Sequence, residues 1–130
     1  MSIKFEVTTT LNVKPQKVYA AWLDSEKHSK MTGSPAKVSD VEGEAFSAWD
    51  GYINGRNITL EAGKRIIQSW RTSEFSVEEA DSQIEVLFAA EGDGTKITLL
   101  HTRLPPHGTQ YQQGWEESYF IPMRDFFGPA

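Results

Sequence analysis

The sequence predicts an α+β domain in which a curved antiparallel sheet of about six to seven strands wraps one long C-terminal α-helix, with two short helices after the first strand. Three observations carry this expectation. From Ile3 to Leu11, apolar and polar residues alternate with a period of two, the mark of a strand with one buried face. From Ala36 to Leu104, turn-forming stretches such as Asp50-Gly51, Asn54-Gly55 and Gly92-Asp93-Gly94 separate strand-like runs, which suits an antiparallel meander. In the last segment, Gln110 to Phe127, Tyr111, Trp115, Tyr119 and Met123 recur at four-residue steps with charged residues between them. That spacing puts one aromatic stripe on the packed side of a helix.

Each element has its own local reason. In the first strand Ile3, Phe5, Val7, Thr9 and Leu11 share one face. Pro15 is preset for the first turn of a helix that runs to Asp24, with Val18 and Trp22 on its apolar side. Ser25 is a candidate cap for a second helix, SEKHSKM, which should stop at Gly33, where a left-handed backbone costs nothing sterically. The clearest later strands are Arg65 to Thr72, Gln83 to Ala90 and Lys96 to Leu104. Within them Ile66, Gln68 and Trp70 share a face, as do Ile84, Val86 and Phe88, and Ile97, Leu99 and His101. Ser73 to Asp81 is acidic and irregular and should be an exposed connection, while Arg56, Lys64, Arg65 and Arg71 fit solvated strand faces. Pro105 and Pro106 turn the chain into the final helix, and Pro122 inside it predicts a kink near Ser118 to Pro122.

Composition narrows the function classes. The 130 residues suit a single domain spanning 1–130. No cysteine is present, which excludes disulfide and thiolate chemistry and is compatible with a cytoplasmic protein. His28, His101 and His107 match no usual zinc spacing, so no metal and no cofactor are expected. A formal net charge of -5 disfavours nucleic acid or an anionic membrane as partner, because phosphates would be repelled. The N-terminus holds neither a signal-like nor a membrane-spanning stretch.

Five segments carry a family likeness: Tyr19 to Gly33, Phe46 to Leu60, Arg65 to Arg71, Gly92 to Pro105 and Gly114 to Phe127. Together they resemble the domain shared by homologues of the activator of heat-shock protein 90 ATPase (AHSA-type), within the SRPBCC or START-like superfamily. The resemblance implies a helix-grip fold of the START-like, Bet v-like kind. It also implies either a lipid, sterol, hormone or polyketide held between helix and sheet, or a chaperone partner. The eukaryotic co-chaperone has a separate N-terminal domain, and this chain is expected to lack it, since the family segment begins almost at Met1.

The residues expected to reach a cavity between helix and sheet are Phe46, Trp70, Phe88, Leu99, His101, Trp115, Tyr119 and Met123, chosen by strand alternation and helix spacing. A core filled by the same residues with a satisfied histidine is the alternative. Three functions follow as expectations: a domain binding a small apolar or amphipathic molecule, a chaperone-associated interaction module, or a cyclase-like or hydrolase-like enzyme using His101 with a carboxylate. No catalytic constellation is present, so no catalytic residue is assigned. Trp49 and Tyr52, at a predicted turn, either form a partner surface or cover the sheet edge. A monomer or weak homodimer is expected.

Overall fold

The computed structural model describes residues 2–128. The chain runs β1 (Ile3–Leu11), α1 (Pro15–Trp22), α2 (Ser25–Thr32), β2 (Ala45–Ala48), β3 (Ile53–Glu61), β4 (Arg65–Thr72), β5 (Ser82–Glu91) and β6 (Gly94–Leu104). A short 3-10 turn, Pro106–Thr109, leads into α3 (Gln110–Trp115), a π-helical turn (Glu116–Phe120) and α4 (Ile121–Phe127). The strands form one six-stranded antiparallel sheet in the order β1-β6-β5-β4-β3-β2. Thus β2 to β6 make the expected meander, and β1 closes it by pairing with the last strand.

Alternation decides which side of the sheet is buried. Ile66, Gln68, Trp70 and Thr72 of β4, Ser82, Ile84, Val86 and Phe88 of β5, and Ile97, Leu99 and His101 of β6 all point inward. The C-terminal helix lies against this face with Tyr111, Trp115, Tyr119, Phe120 and Met123 buried. Among the described residues no helix is long and apolar enough to cross a membrane.

The kink expected near Ser118 to Pro122 takes the form of the π turn, in which Ile121 N–H donates to Glu116 O five residues back. At 3.6 residues per turn a four-residue step overshoots by about 40°, so a straight α-helix would rotate Met123 about 120° away from Tyr111. One wider turn takes up much of that drift and keeps the stripe on the sheet side. It also falls just before Pro122, which has no N–H to give the preceding turn.

Two local details differ from the sequence expectation. The cap of α2 is Asp24, whose side chain accepts from Lys27 N–H at 2.9 Å, while Ser25 Oγ donates to Val38 O and accepts from Val38 N–H. Both residues are good caps, and the tertiary contact to Val38 decides between them. The helix stops as expected at Gly33, with φ 83°. Arg71 is not a free surface cation: it donates to Glu79 O at 3.0 Å, Asp81 Oδ1 at 2.9 Å and Ser76 O at 2.8 Å, and its guanidinium covers the Phe75 ring. The connection from β4 to β5 is therefore pinned from within, and Phe75 is buried.

Gly55 of β3 leaves no room for a side chain against β4 and Phe46. A Cβ there would lie 1.9 Å from Ser69 O and 2.6 Å from the Phe46 ring. The backbone oxygen cannot move aside without breaking the ladder. Gly55→Ala is expected to lower stability by about 1–3 kcal/mol, read as a shift of the urea midpoint at unchanged slope.

Candidate functional site

A cleft of about 220 Å³ opens between the C-terminal helix and the β2 to β4 end of the sheet. Strand β4 contributes Trp70, and the helix contributes Tyr111, Gly114, Trp115, Ser118 and Tyr119. The turn from β2 to β3 supplies Trp49 and Tyr52, followed by Ile53. That turn is unusual: Trp49 (φ 52°), Asp50 (φ 56°) and Gly51 (φ 89°) are all left-handed. For a residue as bulky as Trp49 this conformation costs of order 1 kcal/mol. The turn is held by Asp50 N–H donating to Pro35 O at 2.9 Å and Tyr52 N–H donating to Trp49 O at 3.1 Å.

The polar edges of these aromatic rings are largely engaged by the protein. Trp115 Nε1–H donates to His101 Nδ1 at 3.0 Å. His101 Nε2 lies 2.9 Å from Ser82 Oγ, which itself donates to Trp70 O at 2.7 Å. With its own proton committed to Trp70 O, the Ser82 hydroxyl accepts from His101, which fixes the neutral imidazole with hydrogen on Nε2. Burial pushes the His101 pKa down to about 3. A second histidine repeats the pattern, since His28 Nδ1–H donates to Trp22 O and Tyr119 OH donates to His28 Nε2, each at 2.8 Å. Burial lowers the His28 pKa against a raising backbone hydrogen bond, and burial raises that of Tyr119. Tyr111 OH lies 2.6 Å from Thr72 Oγ1. Tyr52 OH donates to Glu74, and burial together with that bond raises its pKa. Trp49 Nε1 is buried with no partner among the described residues.

The aromatic groups also brace one another. Trp22 of α1 stacks on Tyr119 at 5.2 Å and Trp115 at 6.3 Å between centroids, while Trp70 meets Tyr111 edge-on at 4.9 Å. Such pairs contribute about 0.5–1.5 kcal/mol each beyond their burial.

Of the residues singled out by sequence, Trp70, Trp115 and Tyr119 meet in the cleft wall. His101 sits one layer behind them, its ring 4.6 Å from that of Trp70, with no exposure and no carboxylate among its hydrogen-bond partners. Leu99 and Met123 are fully buried core residues, Phe88 packs on Tyr19 of α1, and Phe46 covers Gly55. Tyr111 also lines the cleft and shares the four-residue spacing of its neighbours, so the signal for it was present. Nothing in the local sequence marks Gly114 or Ser118 as wall residues.

Residues 12–126 match the family model described as "Activator of Hsp90 ATPase homolog 1-like protein". The chain is 28% identical over 132 residues to an activator of 90 kDa heat shock protein ATPase homolog from Dictyostelium discoideum, covering 95% of this chain and 34% of the relative. It is 25% identical over 126 residues to the human activator of 90 kDa heat shock protein ATPase homolog 1, covering 96% of this chain and 37% of that protein. The chain thus spans about a third of the length of these curated relatives. The crystal structure of an HSP90 activator from Plasmodium falciparum superposes with a TM-score of 0.88 at 22% identity, covering 98% of both chains, which shows the same fold. With most of its length matched by the family model, the chain belongs to the Activator of Hsp90 ATPase homolog 1-like family.

Proposed function

We propose that this domain is a chaperone-associated interaction module that docks on an ATPase of the heat-shock-protein-90 type. The observation that carries this reading is the family match over residues 12–126, joined to relatives that are named for activating that ATPase. A docking module needs a rigid scaffold, and the buried aromatic brace between α1, the sheet and the C-terminal helix suits that role. A cytoplasmic location is compatible with such a role. The test is isothermal titration of the purified chain into a heat-shock-protein-90 homologue, with and without nucleotide. Saturable binding is the expected result, and no heat of binding in either state would remove this reading.

A second reading is favoured by the cleft itself. Its wall of Trp70, Trp115 and Tyr119 offers an apolar surface on which a small apolar or amphipathic molecule could rest between helix and sheet. The two readings are compatible, since the cleft occupies only one end of the sheet.

A further inference from the structure

Six aromatic side chains line the cleft, Trp49, Tyr52, Trp70, Tyr111, Trp115 and Tyr119, and such a wall discriminates by charge. The hydroxyls of Tyr111 and Tyr119 and the indole N–H of Trp115 are tied to Thr72, His28 and His101. Ring carbon therefore dominates what these three side chains offer an occupant, while the Trp49 indole N–H is buried with no partner among the described residues. The face of an aromatic ring carries negative potential. Glu74 does not itself line the cleft, but it accepts from the Tyr52 hydroxyl and so sets a carboxylate one side chain away from the wall. Among the described residues no Lys or Arg lines the cleft, and Arg71, next to Trp70 in sequence, is paired with Asp81 and the carbonyls of Ser76 and Glu79.

These facts rank the occupants. An anion finds aromatic rings, no lining cation and the Glu74 carboxylate one side chain away, and is disfavoured. A neutral apolar group gains burial alone. A bulky organic cation gains burial together with attraction to several rings at once. Space is sufficient, since about 220 Å³ exceeds the roughly 150 Å³ cavity that accommodates benzene. We propose that the cleft between Trp49, Tyr52, Trp70 and Trp115 is a binding site for a quaternary ammonium group of the choline type. This rests on the second reading above, that the cleft is a ligand site.

The test compares choline with its uncharged isostere 3,3-dimethylbutan-1-ol, titrated into the intact chain and followed by tryptophan fluorescence. Choline is expected to quench saturably and to bind about tenfold or more tightly than the isostere. Gly114→Leu should abolish that binding, because a Cβ at Gly114 meets nothing within 4 Å and the side chain would fill the opening. Glu74→Gln, at an exposed position, should weaken choline severalfold while leaving the isostere unchanged. A parallel arm with phosphatidylcholine vesicles separates a lipid headgroup from a free cation, and binding of either supports the site. Equal affinity for choline and isostere would overturn the cation preference while leaving an apolar ligand site. No response to choline, isostere or vesicles would overturn this inference and the ligand reading together. Undiminished choline binding by folded Gly114→Leu protein would place the site elsewhere.

Discussion

Replacing Trp115 with alanine is expected to lower the unfolding free energy by about 3–5 kcal/mol. The loss has three sources in the same side chain. Its indole is only 3% exposed and sits where Trp22, Trp70 and Tyr119 converge, so truncation leaves a void that three other rings cannot collapse to fill. The stacking contacts disappear with it. His101 Nδ1, buried in the native protein, also loses its donor. Because a domain of this kind is held together by about 5–15 kcal/mol, the variant should approach the edge of folding at 37 °C. Urea titration followed by circular dichroism reads the effect. Trp115→Phe separates its parts, since it retains most of the volume and orphans only His101, and should cost about 1–3 kcal/mol.

Acid should unfold the protein well before its carboxylates alone would do so. His101 titrates at about 3 in the folded state because burial disfavours the imidazolium, against about 6.5 in an unfolded chain. The unfolded state therefore binds the extra proton throughout the interval between those values. The neutral histidine's contribution is fully present above about pH 6.5 and is lost as pH falls toward 3. At about 1.4 kcal/mol per pH unit the accumulated loss is of order 4 kcal/mol. His28, also lowered by burial, steepens the decline. Denaturation midpoints measured between pH 7 and pH 4 should fall steadily, and His101→Gln should flatten that slope whatever it does to stability at pH 7. An unchanged slope in the variant would show that His101 is not the titrating group.

Much of this architecture was legible in the sequence because it depends on periodicity. Alternation in β4, β5 and β6 placed Trp70, Phe88, Leu99 and His101 on the inner face, and four-residue spacing placed Trp115, Tyr119 and Met123 on the packed side of the helix. Periodicity tells inside from outside, but not which inside residues border open space. Phe88 and Met123 share a face with Trp70 and Trp115, yet they lie in solid core because other elements pack over them. Trp49 and Tyr52 reach the cleft through a left-handed turn, a conformation that Trp49 and Asp50 do not advertise as a glycine pair would. The bond between His28 and Tyr119 joins residues 91 positions apart. The Arg71 clamp is made mainly to backbone carbonyls, which carry no sequence signature.

The membership of this chain in a family named for ATPase activation leaves one measurement more direct than any other. ATP turnover by a heat-shock-protein-90 homologue should be followed while the intact chain is titrated in, with Trp115→Ala protein as the structural control. A saturable rise in turnover with the native chain, weakened with the destabilised variant, is the result expected of a chaperone-associated module. A flat response at concentrations far above those of the chaperone, from a chain verified as folded and joined to no detectable binding, would contradict it.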